Sequence, residues 1–221
     1  MAGQLRPLSM NEPMAPPVLR IERLSFGYED QPALVADWSA TLPAGVTLLH
    51  GDTGSGKSTL LRVFAGELRA QGRLTLAGVV LDDDAEGYRA KRFFVEPGTD
   101  GFDQLSARAC IAALSAGDAR FDEAGCAGLI DGFSLAPHID KPMYMLSTGS
   151  KRKVWLAAAL ASGRELVLLD EPASALDAAS VVCLTRALAL AAEQRTRAVV
   201  VASAGLIELI PLAARLDLPL G

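Results

Sequence analysis

The spacing of hydrophobic and polar positions changes several times along the chain, and each change marks an element. "PVLRIERLSF" and "ADWSATL" carry partial period-two alternation, which predicts strands with one face buried. "VTLLH", Val46 to His50, is apolar almost throughout, the pattern of a strand buried on both faces. "GRLTLAGVVL" predicts either a strand pair or one bent strand. From about Gly98 to Met145 the pattern shifts to short helical repeats rich in Ala, Gly and Asp, such as "LSARACIAALSAG" and "FDEAGCAGLIDGF", and predicts a helical insert. Beyond it the chain alternates: a helix in "SKRKVWLAAALAS", a strand in "ELVLLD", a helix in "DAASVVCLTRALALAAEQ", a strand in "RAVVVA" and a helix ending near Pro211. Alternating strands and helices imply a parallel sheet with helices on its faces.

Chemistry enters at the end of the apolar strand. "GDTGSGKST", Gly51 to Thr59, fits G-x-x-x-x-G-K-[ST] at Gly51, Gly56, Lys57 and Ser58. Gly51, Gly54 and Gly56 let the backbone turn tightly, so that the N–H groups of Asp52, Thr53 and Ser55 point inward beside a helix N-terminus. Lys57 is expected to reach the β- and γ-phosphates of a nucleotide, and the Ser58 hydroxyl to ligate Mg²⁺. A strand precedes the loop and the helix-forming "STLLRVFAGEL" follows it, which is the context this motif needs.

"ELVLLDEP" supplies the complementary acids. A buried parallel strand carries Asp170 and Glu171 to its carboxyl end, where open α/β sheets bind ligands. Asp170 is suited to the Mg²⁺ shell, and Glu171 to polarising an attacking water as general base.

Composition narrows the classes. The chain has 221 residues, half of them hydrophobic, and a formal net charge of −5, which gives no support for nucleic-acid binding. Cys110, Cys126 and Cys183 fall in helix-like segments without metal spacing and read as small apolar core residues of a reducing compartment. "AVVVASAGLIELI" is too short to span a membrane and is expected to be a strand followed by a helix. "MAGQLRPLSMNEPMAPP" lacks the apolar region of a secretory signal and is expected to be a loose tail, residues 1–17.

"GDTGSGKST", "LSTGS" (Leu146 to Ser150), "LVLLDEP" and "SALD" (Ser174 to Asp177) occur in the order and spacing of the ATP-binding cassette (ABC) ATPases. The chain resembles that family from about Val18 to its C-terminus. The resemblance implies one α/β P-loop domain over 18–221, with a mainly parallel sheet core, an antiparallel β subdomain and a helical subdomain at about 98–150. It implies ATP and Mg²⁺ as ligands. In the family the signature, here Ser147 and Gly149, contacts the γ-phosphate bound by a second cassette, so that a dimer closes over two ATP molecules. Ser147 also suits a plain helix cap, and Asp177 suits either the dimer seam or the cap of the next helix. Tyr28 matches the family's adenine-stacking aromatic, with packing beside Phe26 on a strand as the alternative.

Besides Thr148 and Ser150, which depart from the commoner LSGGQ form of the signature, two positions differ from the family. Its usual glutamine beside Mg²⁺ and the attacking water is Glu96 here, still an oxygen ligand but with added negative charge. Its usual histidine on the γ-phosphate is Ser203, and neither His50 nor His138 stands at the matching position. Serine donates one hydrogen bond and carries no positive charge, which suggests slow hydrolysis. The resemblance implies an ATPase subunit at the cytoplasmic face of a membrane, driving separate membrane-spanning subunits. A soluble ABC ATPase without a transport role, and a degenerate ATP-binding regulatory cassette, are the alternatives.

Overall fold

The computed structural model describes residues 17–205 and 210–220. In chain order the elements are β1 (Leu19–Phe26), β2 (Val35–Leu42), β3 (Gly45–His50), α1 (Lys57–Phe64), β4 (Gln71–Leu76), β5 (Val79–Val80), α2 (Ala85–Ala90), β6 (Arg92–Phe94), α3 (Ala107–Ser115), α4 (Glu123–Gly132), α5 (Thr148–Ala161), β7 (Leu166–Asp170), α6 (Ala178–Gln194), β8 (Ala198–Ser203) and β9 (Leu212–Asp217). Two short 3₁₀ turns, Ala136–His138 and Met143–Met145, lie between α4 and α5.

Five strands form a parallel sheet in the order β6-β7-β8-β3-β9. β3, which the sequence marks as apolar throughout, is enclosed between β8 and β9. The four other strands form an antiparallel sheet, β2-β1-β4-β5. "GRLTLAGVVL" is a strand pair rather than one bent strand, with Thr75 opposite Val80 and Leu76 opposite Val79.

The imperfect alternation of β1 has a structural cause. Leu19, Ile21 and Leu24 are all buried, although their spacing breaks the period of two. The register shifts after Ile21 against β2 and after Glu22 against β4, and Arg23 takes a φ of 52°. This bulge adds one residue and returns Leu24 to the core face.

Two apolar clusters flank the parallel sheet. One joins Leu19, Ile21, Leu42 and Leu76 of the antiparallel sheet to Leu60, Leu61 and Phe64 of α1 and to Leu168 and Val200 of the parallel sheet. α1 therefore packs between the sheets. The other cluster joins Val167, Leu169 and Val199 to α3 and α4, which lie in the segment read as a helical insert from about Gly98 to Met145, and to α5 and α6 of the alternating segment beyond it. Cys110 and Cys126 lie within it, and burial pushes both thiols up to about 11, so they stay protonated at neutral pH.

α2 has no clear signal in the sequence, yet together with Arg92 of β6 it secures α1. The last carbonyls of α1 and its following turn, on Phe64, Ala65 and Gly66, accept hydrogen bonds from the Tyr88 hydroxyl (2.8 Å), Arg92 Nε (3.1 Å) and Arg89 Nη2 (2.7 Å). These donors satisfy carbonyls that a helix end leaves open.

The end of the chain differs from the sequence pattern. β9 is an edge strand, half-buried along most of its length, and its pairing with β3 shifts register between Val46 and Thr47. Such a strand has neither the alternation of a half-buried sheet nor the apolar run of a central one. The helix expected before Pro211 falls largely on residues 206–209, outside the described residues, as does the expected tail apart from Pro17.

Tyr88 is fully buried, so Tyr88→Phe leaves the Phe64 carbonyl without its partner. We expect a loss of about 1–3 kcal/mol, read as a lower urea midpoint with an unchanged slope. An unchanged midpoint would show that this bond does not hold the end of α1.

Candidate nucleotide-binding and hydrolysis site

Among the described residues, five of the six α-helices begin with a side-chain cap: Asp84, Ser106, Asp122, Ser147 and Asp177 each accept a backbone N–H three residues on. α1 is the exception. It starts from Gly56 at φ 96°, and no side chain accepts its first donors. The N-terminal N–H groups and positive dipole end of α1 are thus available to an anion.

The loop before α1 is shaped by its glycines. A Cβ on Gly51 would lie 2.6 Å from Ser55 Oγ and 3.0 Å from Leu218 Cβ, so glycine lets the turn close without displacing either. Gly54, at φ 82°, has open space where a side chain would stand. Lys57 is 5% exposed, and its Nζ donates to the carbonyls of Gly51 (2.8 Å) and Asp52 (3.0 Å) and lies 3.3 Å from Glu171 Oε1. The lysine thereby joins the loop to the acid pair at the end of β7. A cavity of about 520 Å³ opens here, lined by Thr53, Gly54, Gly56, Lys57, Ser58 and Thr59 of the loop and α1, and by Glu171, Ser174 and Ala204.

Asp170 and Glu171 have distinct surroundings. Asp170 Oδ1 is buried without a hydrogen-bond partner, and burial pushes this carboxyl above its ordinary value while the Ser58 hydroxyl opposes the shift. A desolvated, orphaned carboxylate oxygen beside a serine hydroxyl suits a hard divalent cation such as Mg²⁺, and so the donor set fits the metal expected from the sequence. Glu171 takes a left-handed φ of 42°. Its N–H donates to the Ala202 carbonyl (2.9 Å), and its Oε1 accepts the Ala204 N–H (3.1 Å). The Ala204 backbone donor is invisible to residue-type reasoning, because any residue at that position supplies it.

The remaining sequence-predicted residues stand around this centre. Tyr28 lies just beyond β1, 45% exposed and edge-on to Phe26, with ring centroids 5.3 Å apart. Its hydroxyl is 3.2 Å from Thr59 Oγ1, which places the exposed ring beside the start of α1. Glu96 follows β6 and pairs with Arg62 (3.3 Å), one turn beyond Ser58 on α1. Arg62 stands four residues after Ser58 and hence on the same helix face, but that spacing does not say which distant acid it meets. Ser203 ends β8 opposite His50 of β3, and its hydroxyl accepts the Gly205 N–H (3.1 Å).

The signature is not brought to the same cavity; none of Leu146 to Ser150 lines it. Ser147 caps α5 by accepting from Ser150 N (3.1 Å). A Cβ on Gly149 would lie 2.4 Å from the Ala175 carbonyl, so glycine lets the signature press against the "SALD" loop. Asp177 caps α6 and pairs with Lys153 (2.5 Å); the hydrogen bonds from Lys153 and Ser180 hold its carboxyl well below the usual carboxylate range.

A family profile described as "ABC transporter" matches residues 35–174, more than half of the chain. The chain belongs to the ABC transporter family. This ABC protein is 38% identical over 181 residues to the cytochrome c biogenesis ATP-binding export protein CcmA of Rhodospirillum rubrum, a match covering 79% of this chain and 75% of that one. It is 35% identical over 179 residues to the cobalt import ATP-binding protein CbiO of Rhodobacter capsulatus, covering 74% of this chain and 61% of that one. Among solved structures, an ABC transporter ATP-binding protein from Pyrococcus furiosus superposes with a TM-score of 0.73 at 23% identity, covering 90% of this chain and 96% of that one. The cbiO1 of Clostridium perfringens, part of the cbiONQ complex, superposes with a TM-score of 0.64 at 22% identity, covering 86% of this chain and 79% of that one. These structures share the α/β P-loop fold. As an ABC ATP-binding protein, the chain is an ATPase.

The burial of Asp170 sets a pH dependence. A carboxyl whose folded value is raised contributes stability below its unfolded value and loses it as pH rises through the folded value, so ionisation of the poorly solvated Asp170 costs the metal-free protein stability as pH rises. Asp170→Asn should therefore raise the melting temperature of protein held in chelator at pH 7–8, by about 2–4 °C per kcal/mol recovered, and remove the extra stabilisation by ATP that Mg²⁺ confers. A variant still stabilised further by Mg²⁺ would take Asp170 out of the metal site.

Proposed function

We propose that this chain is the energising subunit of an ABC transporter, that it works as a dimer of cassettes against membrane-spanning partners on other chains, and that it hydrolyses ATP slowly. One observation carries the dimer reading: the P-loop and Glu171 share a cavity, whereas the signature of the same chain lines no part of it. A second cassette, of the same or another chain, supplies the missing signature. The transport reading draws on the matched relatives, named as ATP-binding proteins of export and import systems. Among the described residues no helix is long and apolar enough to cross a membrane.

The chain's own groups divide the work. The α1 N-terminus and the N–H groups from Asp52 to Thr59 bind the phosphates, and Lys57 exchanges its contacts with Gly51 and Asp52 for the β- and γ-phosphate oxygens. Tyr28 stacks on the adenine. Ser58 and Asp170 would hold Mg²⁺, and Glu96 would offer a further carboxylate oxygen; the ion would neutralise phosphate charge when bound. Glu171 accepts a proton from water as the water oxygen bonds to the γ-phosphorus and the bond to the bridging oxygen breaks, releasing ADP and phosphate. Ser203 offers the γ-phosphate one neutral hydrogen bond. Loss of a charged donor at such a position costs about 2.7–4 kcal/mol, or about 10²–10³ in rate.

Glu171→Gln should lower kcat by about 10²–10⁴ and leave ATP-bound dimer accumulating on size exclusion. A variant turning over like the wild type would remove Glu171 from the chemistry. Ser203→His should raise kcat toward the 10²–10³-fold range set by the lost contact, about the gain one such donor supplies. Equal steady-state rates for wild type and Ser203→His would end the slow-hydrolysis reading. Co-purification with a multi-span membrane protein tests the transport role, and recovery without one under native membrane extraction counts against it.

A further inference from the structure

Three basic residues follow the signature, Lys151, Arg152 and Lys153. A basic run at a helix start usually faces water, and three successive helical positions point about 100° apart. Here each finds a different partner. Lys151 Nζ pairs with Asp103 of the loop before α3. Lys153 Nζ pairs with Asp177 at the cap of α6. Arg152 Nη1 donates to the backbone carbonyl of Glu171.

The partner of Arg152 matters because of the conformation it meets. Glu171 is a non-glycine residue at φ 42°, a conformation that persists only where the surroundings impose it. Its N–H is held by the Ala202 carbonyl, and its own carbonyl receives both the Ser174 N–H (3.0 Å) and the Arg152 guanidinium. Of these, the Arg152 bond alone comes from a side chain, and it crosses from α5 to the end of β7. Around it, Arg152 and Trp155 of α5, Val95 and Pro97 on either side of Glu96, and Asp170 and Pro172 on either side of Glu171 enclose a cavity of about 40 Å³. The signature helix, the Glu96 segment and the acid pair thus meet at one point.

We infer that Arg152 is a positioning residue: it fixes the backbone of Glu171 so that the carboxylate faces the phosphate cavity, and it couples the placement of the signature helix to that carboxylate. This rests on Glu171 being the general base. Among the described residues the hydrogen bond of Arg152 goes to Glu171 and none goes to the P-loop, so its removal is expected to act on turnover rather than on nucleotide capture. A side chain without a donor leaves the Glu171 carbonyl to Ser174 alone, and the left-handed turn loses its tie to α5.

The test uses the full chain and MgATP as the probe, with kcat, KM, nucleotide affinity and melting temperature measured for wild type, Arg152→Ala, Arg152→Lys, Glu171→Gln and the Arg152→Ala/Glu171→Gln double variant. Arg152→Ala should lower kcat about 10- to 100-fold, the scale of a misplaced catalytic group, with MgATP affinity unchanged. Arg152→Lys, which keeps a donor of similar reach, should recover most of the loss. In the Glu171→Gln background Arg152→Ala should cost nothing further, because the group it positions is gone. Wild-type kcat in Arg152→Ala, a full additional loss in the double variant, or equal loss of affinity and melting temperature in both Arg152 variants would each overturn the inference. Wild-type turnover in Glu171→Gln would instead overturn the reading of Glu171 on which it rests.

Discussion

The site depends on one buried cation. Lys57 is almost wholly enclosed, and its ammonium is held by two carbonyls of the loop before α1 and by the Glu171 carboxylate just beyond β7. A buried ammonium without such partners would be costly, so the lysine, the loop and the acidic turn must be placed together or not at all. Parallel strands make this possible. β3 and β7 end on the same edge of the sheet with β8 between them, and the loops that leave them converge.

The same economy governs α1. Its carboxyl end is held by Tyr88, Arg89 and Arg92, while its amino end carries no side-chain cap. Caps at the other five helices show that this sequence readily supplies Ser or Asp at such positions. A capped α1 would spend its donors internally, whereas the glycine start leaves them for phosphate. Asp170 shows the parallel logic for charge, since a carboxylate oxygen buried without a partner weakens the metal-free fold and strengthens a cation site.

Rigidity on the far side comes from α5. Its first turns press Gly149 against Ala175 and fasten Lys151, Arg152 and Lys153 to three separate segments. A movement of the signature helix therefore carries the "SALD" loop and the backbone of Glu171 with it. In the dimer proposed above, that linkage would give a physical route by which a second cassette reaches Glu171.

Local chemistry was legible in the sequence. The glycine spacing, Lys57, Ser58 and the acids after an apolar strand are contiguous signals, and contiguous residues adopt strand, loop and helix largely through their own preferences. Burial on both faces of β3 and the helical character beyond Gly98 were equally plain. The partner of each side chain was not. Glu96 with Arg62, Lys153 with Asp177 and Arg152 with the Glu171 carbonyl join residues far apart in the chain, and the Ala204 donor is backbone. The bulge in β1, the α2 donors and edge strand β9 were likewise decided by the surfaces they pack against. Sequence periodicity reports which face is apolar; only the assembled sheet determines what that face, or a charge beside it, meets.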